Sequence, residues 1–176
     1  LRTMSRPAET AEPPAKRPGP FTGIHRNVVA LGAASLLTDV SSEMLVPILP
    51  LFVTATLGAS VTSLGVIEGI AECTASVARL GSGWLSDRIG RRKPFAAFGY
   101  ALSGAAKAAM AIAGTWGFIL AMRFTDRLGK ALRSAPRDAL IADSTADAHL
   151  GRAFGLHRAM DTLGAAIGPL LAWWLL

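Results

Sequence analysis

The chain has 176 residues, of which 51% are hydrophobic, and its 18 basic and 12 acidic side chains give a formal net charge of +6. The apolar residues collect in stretches of about 20 residues, which is the length that a helix needs to cross a bilayer and is unusual in a soluble domain. The basic residues lie between these stretches and form no surface with interleaved aromatic side chains, so the composition indicates an integral membrane protein and argues against a nucleic-acid partner.

Residues 1–26 are predicted to form a disordered cytoplasmic tail. The segment is rich in proline, alanine and charged residues, a composition that cannot bury a core. It does not resemble a signal peptide, because the first apolar run is long and contains Asp39 and Glu43. The chain begins at Leu1, so its true start stays open, with Met4 as a candidate.

Five membrane-spanning helices are predicted within a transmembrane domain of residues 27–176. The first has Pro47 and Pro50 near its far end, where a helix kinks or stops. The fourth is far more polar than the others, and Pro136 is expected to mark its end before a hydrophilic connection. The predicted spans are residues 28–52, 61–85, 94–113, 118–135 and 152–176.

The distribution of Lys and Arg predicts that the amino end lies in the cytoplasm, because basic loops are retained there. The turns at 55–60 and 114–117 carry no Lys or Arg. Five spans then place the last residue at the outer face, where Trp173 and Trp174 suit an interfacial belt. The opposite side holds twelve basic residues, namely Arg2, Arg6, Lys16, Arg17, Arg26, Arg88, Arg91, Arg92, Lys93, Arg133, Arg137 and Arg152.

Twelve charged residues fall inside the predicted spans, where each costs about 2.5 to 3.5 kcal/mol at mid-membrane on insertion scales. They cannot all face lipid, so we expect them to face one another or water. The acids are Asp39, Glu43, Glu68, Glu72, Asp126 and Asp161, and the bases are Arg79, Lys107, Arg123, Arg127, Lys130 and Arg158.

Two pairs of acids lie one helical turn apart. Asp39 and Glu43 share a face of the first span, and Glu68 and Glu72 repeat the spacing in the second. Two carboxylates this close do not both ionise easily, which creates a site able to bind and release a proton. Asp39 or Glu43, near the middle of the first span, is therefore the preferred proton carrier.

The fourth and fifth spans carry further charged faces. Arg123, Arg127 and Lys130 form a basic stripe on the fourth, and Arg158 shares a face of the fifth with Asp161. Such faces are typical of a hydrated cavity, although a packing salt bridge explains any single residue equally well. The residues predicted to line a substrate cavity are Glu68, Glu72, Arg127, Arg158 and Asp161.

Two further features of the spans are interpreted as packing. Lys107 stands in an otherwise small and apolar third span, and we expect it to snorkel or to form a single ion pair. Gly65 and Gly69 are four residues apart, a spacing that lets helix backbones approach one another.

The sequence indicates neither an enzyme nor a metalloprotein. Cys73 is the only cysteine and lies in an apolar stretch, where we expect a small buried side chain. His25, His149 and His157 lack ligand spacing, and no serine or cysteine lies in a nucleophile motif. We therefore predict no cofactor and no metal site.

The connection between the second and third spans carries the most specific pattern. Residues 83–93 read Gly-Trp-Leu-Ser-Asp-Arg-Ile-Gly-Arg-Arg-Lys and resemble the signature G-x-L-x-D-R-x-G-R-R of the major facilitator superfamily. The first glycine permits close helix contact, the acid ends a helix with a charge, and the basic residues anchor the loop inside. The residues of this predicted gating loop are Gly83, Asp87, Arg88, Gly90, Arg91 and Arg92.

The fifth span resembles the antiporter motif of the same superfamily, which points toward export. The glycine pair that closes that motif is replaced here by Ala172 and Trp173. The residues that follow its spacing, G-x8-G-x3-G-P, are Gly155, Gly164, Gly168 and Pro169.

The fourth span adds a looser resemblance, since Arg123 is similar to an arginine that the superfamily uses in proton coupling. Arg123 therefore joins Asp39 and Glu43 as a candidate coupling residue. These resemblances cover nearly all of the chain after the tail.

The resemblance implies an all-α, polytopic bundle in the plasma or bacterial inner membrane, equivalent to the first five helices of a twelve-helix fold. It implies a transporter that works by alternating access. Its partners are then the lipid bilayer, protons, a small-molecule substrate and a carboxyl-terminal half that this sequence does not include. Our first hypothesis is proton-coupled export of a small organic compound. The alternatives are proton symport that imports a polar or anionic solute on the basic stripe, and a truncated fragment without transport activity.

Overall fold

The computed structural model describes residues 23–175, so most of the predicted tail lies outside the described part of the chain. Within that part the chain forms α1 (Arg26–Leu51), α2 (Val61–Ile89), α3 (Arg92–Met110), α4 (Trp116–Asp143) and α5 (Leu150–Leu175). A π-helical turn, Phe52–Thr56, extends α1, and a short 3-10 helix, Asp147–His149, precedes α5. The predicted all-α class is confirmed.

The helix ends follow from the chemistry of the connections. The hydroxyl groups of Ser60 and Thr115 cap α2 and α4, each accepting a hydrogen bond from the backbone N–H three residues further on. The end of α2 is Gly90, with a φ of +68° that glycine adopts without steric cost. Pro47 and Pro50 remain inside α1, and its backbone changes only at Phe52.

The fourth helix does not end where the sequence predicts. Pro136 lies inside α4, which continues to Asp143, so part of the predicted hydrophilic connection is helical. An interior proline removes one backbone hydrogen bond, and Pro136 is itself fully buried. Arg133 and Arg137 flank Pro136 and contact Asp39 of α1 and Asp161 of α5, respectively.

The helices pack in three close pairs, α1 with α5, α3 with α4 and α2 with α4. Glycine allows the closest approaches. A Cβ atom added to Gly99 would lie 2.7 Å from the carbonyl oxygen of Gly129, and one added to Gly164 would lie 2.7 Å from that of Leu36. Gly65 and Gly69 have no neighbour within 4 Å of an added Cβ, so the predicted backbone contact at this pair is not formed within the described part of the chain.

Two apolar clusters lie at opposite ends of the bundle. One joins the far end of α1 to α2, α3 and α4, and it consists of Leu49, Val53, Ile67, Met110 and Ile119. The other lies near the start of α1 and joins Val28 to Ile141 and Ala153. Polar side chains lie in the middle of the bundle, between these clusters.

Two helical segments are long and apolar enough to cross a membrane, namely Arg26–Thr56 and Val61–Ile89. Within residues 23–175, α3, α4 and α5 do not reach the same standard of hydropathy and low charge. The count of five spans therefore remains a prediction, as does the cytoplasmic side of the amino end.

The outward faces of the bundle are strongly apolar. Each long helix exposes at least one large apolar side chain, for example Leu37, Leu80, Phe98, Phe124 and Leu170. Large apolar side chains exposed on every long helix are suited to contact with lipid.

The expectation that Cys73 is buried is wrong, because its side chain is exposed. The buried face of α2 follows Ile67, Ala71 and Ala75, which are four residues apart. Cys73 lies halfway between two of these positions and so points away from the bundle.

Candidate functional site

A layer of charged side chains crosses the bundle between the two apolar clusters, and α4 lies at its centre. The buried stripe of α4 runs from Ile119 to Ile141 at helical spacing, but most of its positions between these two are charged or small. Packing therefore turns these charges inward, toward partners on α1, α2 and α3. We call this layer the charged seam; its members are Asp39, Glu68, Glu72, Lys107, Arg123, Asp126, Arg127, Lys130 and Arg133.

The seam between α2 and α4 is built on Arg123, whose side chain is 2% exposed. Its Nε donates a hydrogen bond of 2.8 Å to Oε1 of Glu68, and its Nη1 lies 3.7 Å from Oδ2 of Asp126. Arg127 lies one turn further along, with its guanidinium 3.8 Å from Glu68 and 3.9 Å from Glu72. The predicted acidic pair of α2 is therefore held by two arginines.

The seam between α3 and α4 is the most deeply buried part. The carboxylate of Asp126, 1% exposed, accepts a hydrogen bond from the hydroxyl of Ser103, and Nζ of Lys107 lies 3.3 Å from Oδ1. Lys107 also donates to Ser103 Oγ at 3.1 Å and to the backbone carbonyl of Thr38 at 3.5 Å. Of the two expectations for Lys107, the single ion pair is the one observed.

Asp39 links α1 to α4. Its Oδ1 lies 3.3 Å from Nζ of Lys130 and 3.6 Å from Nη2 of Arg133. The guanidinium of Arg133 in turn stacks over the ring of Tyr100, 4.3 Å from its centroid. Glu43, one turn along α1, is half-buried and makes no ion pair with any residue in the range 23–175. The two acids of this predicted pair thus have different surroundings.

The predicted face shared by Arg158 and Asp161 divides in the structure. Asp161 turns toward α4, with Oδ2 3.9 Å from Nη1 of Arg137 and 3.5 Å from Nδ1 of His157. Arg158 is exposed and forms no ion pair within the described part of the chain. The predicted cavity residues therefore fall into two places, with Glu68, Glu72 and Arg127 together and the α5 residues apart from them.

The predicted gating loop forms an exposed cluster where α2, α3 and α4 meet. Arg92 donates hydrogen bonds to Asp143 at the end of α4 and, at 3.2 Å, to Asp87. The bond to Asp143 is the main cause that raises the pKa of the Arg92 guanidinium, so this residue stays charged. Gly83 supports the same junction, because an added Cβ would lie 3.4 Å from that of Ala135.

The other members of the loop motif are more exposed. The guanidinium of Arg88 stacks on Trp84, 5.2 Å from the ring centroid. Arg91 is exposed and precedes α3 directly. The loop is thus tied to α4 through Arg92.

The antiporter-like motif of α5 packs against the acidic face of α1. A Cβ added to Gly168 would lie 2.7 Å from the Cβ of Glu43, and one added to Gly164 would lie 3.1 Å from that of Asp39. Pro169 follows inside the helix. Gly155 is different, because an added Cβ there would have no neighbour within 4 Å. Two of the three motif glycines therefore hold α5 against the candidate proton carriers.

The seam neutralises the predicted basic stripe. Arg123, Arg127 and Lys130 each have a carboxylate oxygen within 4 Å. The most exposed members of the seam are acids, since Glu68 is 39% exposed and Glu72 is 62% exposed. The stripe does not form a free cationic surface.

Sequence reasoning missed the neutral members of the network. Ser103, Tyr100 and Ser35 hydrogen-bond or stack with the charged side chains, and His157 lies beside Asp161. Two four-residue spacings could have indicated shared faces, that of Ser103 with Lys107 and that of His157 with Asp161.

The chain matches one family model and is similar to several known proteins. A family model described as Major Facilitator Superfamily matches residues 31–176. The chain is 38% identical over 149 residues to an uncharacterized MFS-type transporter of Methanocaldococcus jannaschii, an alignment that covers 85% of this chain and 37% of that protein. It is 36% identical over 152 residues to an uncharacterized protein of Mycobacterium tuberculosis, covering 86% of this chain and 37% of the relative.

A more distant relative has a functional name. The chain is 29% identical over 142 residues to the multidrug resistance protein MdtH of Edwardsiella ictaluri, covering 81% of this chain and 35% of that protein. The chain thus spans little more than a third of the length of these relatives.

Proposed function

The chain belongs to the Major Facilitator Superfamily, a family of membrane transporters, and we propose that it exports a small organic compound in exchange for protons. The proposed site is the charged seam, and the proposed cycle is alternating access, in which the two halves of such a transporter rock about a central cavity. Asp39, Glu43 and Arg123 are the proposed coupling residues, and Glu68 is proposed to bind the proton or the substrate beside Arg123.

The position of Arg123 between two unlike carboxylates carries this proposal. Glu68 is 39% exposed and 2.8 Å away, whereas Asp126 is buried and 3.7 Å away. A proton that binds Glu68 removes its charge, after which Arg123 is balanced by Asp126 alone. A substrate with a basic group competes for the same exposed carboxylate. Such a pair of alternative partners can exchange one proton for one substrate molecule.

Two observations support export. Gly164 and Gly168 bring α5 against the face of α1 that bears Asp39 and Glu43, so movement of α5 is coupled to those acids. The basic stripe, which the import hypothesis needs as an anion-binding surface, is neutralised by Glu68, Glu72 and Asp39. The name of the relative MdtH, a multidrug resistance protein, also agrees with export.

Proton symport of a polar or anionic solute remains the second candidate because of two exposed cations. Arg79 and Arg158 are exposed and form no ion pair within residues 23–175. An anion could bind them directly.

Accumulation of a fluorescent organic cation and of a labelled organic anion in cells that express the chain separates the two functions. If the chain exports, a protonophore raises accumulation of the cation; if it imports by symport, a protonophore abolishes accumulation of the anion. Arg123→Gln is expected to remove the effect of the protonophore on export. Arg79→Gln, which removes an exposed charge that has no ion pair with another described residue, is expected to keep that effect. An accumulation that the protonophore leaves unchanged contradicts both functions.

A further inference from the structure

His157 occupies an unusual position on α5 for a residue without an obvious motif. Its side chain is 2% exposed, and Nδ1 lies 3.5 Å from Oδ2 of Asp161. The other ring nitrogen, Nε2, and the other carboxylate oxygen, Oδ1 of Asp161, are buried and have no hydrogen-bond partner among the described residues. Buried polar atoms are nearly always hydrogen-bonded, so two orphan atoms on one His–Asp pair call for an explanation.

A continuous line of polar contacts joins this pair to the charged seam. Asp161 lies 3.9 Å from Nη1 of Arg137, and the same Nη1 donates a hydrogen bond of 3.1 Å to Oγ of Ser35. Ser35 shares a hydrogen bond of 2.8 Å with the hydroxyl of Tyr100. The guanidinium of Arg133 stacks on the ring of Tyr100 and lies 3.6 Å from Asp39. The line therefore reaches from α5 to the candidate proton carrier of α1.

Charged groups of two helices act on the imidazole of His157. From α5 itself these are Asp161 and Arg158, and from α4 they are Arg137 and Asp138. Helix α1, which also packs here, contributes Ser35 through its bond to Arg137, and its acid Asp39 lies against Gly164 of α5. Protonation of the ring adds one positive charge to this set of groups, so the charge balance around His157 differs between the neutral ring and the imidazolium.

Protonation changes the partner of Asp161. When Nδ1–H donates to Asp161, Nε2 holds a free lone pair that can accept a proton. The resulting imidazolium competes with Arg137 for the Asp161 carboxylate. Arg137 has two other partners, Asp138 at 2.9 Å and Ser35, to which it can turn. A shift of Arg137 then alters the bond of Ser35 to Tyr100, the residue on which Arg133 stacks.

We propose that His157 is a second proton-binding group of the transporter and that its charge is transmitted to Asp39 through Asp161, Arg137, Ser35, Tyr100 and Arg133. One proton from water binds the free ring nitrogen, and the same proton returns to water when the ring is neutral again. The proposal rests on the proton-coupled function above, but the titration of His157 can be measured without transport.

Histidine NMR signals of the full chain in micelles or nanodiscs provide the first test. The chain has three histidines, and the variants His25→Gln and His149→Gln assign the third signal to His157 by elimination. That signal is expected to shift as the pH is lowered, because the ring takes up a proton. Asp161→Asn should move its midpoint by at least about half a pH unit, because it removes the nearest carboxylate. Glu72→Gln, which removes an equal charge on α2, should leave it unchanged. A His157 signal that does not titrate, or that moves equally in both variants, overturns the proposal.

The pH profile of transport provides the second test and separates this proposal from the function on which it rests. In His157→Gln, uncoupler-sensitive export is expected to lose its dependence on pH between 5 and 8, while His149→Gln keeps the parent profile. If export is coupled to protons but has the same pH profile in both variants, the role of His157 is overturned and the proton-coupled function stands. Parent export that is insensitive to an uncoupler overturns the proton-coupled function, and with it this role.

Discussion

Replacing Asp126 with alanine should destabilise the protein far more than its single charge suggests. The carboxylate is 1% exposed, accepts a hydrogen bond from Ser103, and lies 3.3 Å from Nζ of Lys107. Without it, the ammonium of Lys107, whose side chain is 8% exposed, keeps Ser103 and a carbonyl oxygen at 3.5 Å as its partners among residues 23–175. Removal of one partner from a buried ion pair costs about 3 to 5 kcal/mol, since the other charge stays buried and unbalanced. Arg123 is less affected because it retains Glu68.

The matched control is Glu72→Ala, which removes the same charge from the exposed end of the seam. Glu72 is 62% exposed and lies 3.9 Å from Arg127, so its loss should cost no more than about 1 kcal/mol. Equilibrium unfolding in mixed micelles measures the free energy of unfolding for each variant. The double variant Asp126→Ala with Lys107→Met removes both charges and should recover at least about 1 kcal/mol relative to the sum of the single changes.

Two results would refute this reasoning. If Asp126→Ala and Glu72→Ala lower the free energy of unfolding by the same amount, burial does not decide the strength of these ion pairs. If the double variant is simply additive, Lys107 and Asp126 do not interact in the folded protein.

The other predictions concern packing, the loop motif and orientation. Gly168→Val should lower the free energy of unfolding by about 1 to 3 kcal/mol, because an added Cβ would lie 2.7 Å from that of Glu43. Arg92→Gln should change stability by less than about 1 kcal/mol, since its partners Asp87 and Asp143 are exposed, yet it should slow export by freeing the loop from α4. A reporter that is active only in the cytoplasm should be active when fused to the amino end, as the positive-inside rule predicts.

Each of these predictions has a control. Gly155→Val places the same side chain at a helical position with open space, and equal destabilisation at both sites would exclude the contact with α1 as the cause. Arg88→Gln removes a neighbouring loop cation without touching Asp143, and an equal loss of export rate would show that charge, not the link to α4, matters. An inactive amino-terminal fusion whose carboxyl-terminal counterpart is active would reverse the predicted orientation.

The spacing of charges along each helix was readable from the sequence, whereas their partners were not. A four-residue interval fixes a shared helix face, so the sequence predicts that Glu68 and Glu72 lie side by side, and both lie within 4 Å of Arg127. The partner of each charge depends on which helices pack together. Asp39 was paired with Glu43 by spacing, but the packing of α1 brings it to Lys130 and Arg133 instead.

Local rules also failed where tertiary contacts outweigh them. Pro136 predicts a helix end, yet the ion contacts of its neighbours on α4 keep the helix intact to Asp143. An apolar stretch predicts burial for Cys73, yet in a membrane bundle an apolar side chain can face outward. His157 had no motif around it, so only the fold could bring it beside the Arg137 cluster.

Proton movement driven by substrate tests the central claim most directly, namely that the Arg123–Glu68 pair couples protons to export. The chain is reconstituted in liposomes that hold an acidic interior and a pH-sensitive dye, and an organic cation is then added outside. The account predicts that the cation dissipates the pH gradient with the parent chain and not with Glu68→Gln, while Arg79→Gln behaves like the parent. Equal dissipation by the parent and Glu68→Gln, or none by the parent, would contradict it.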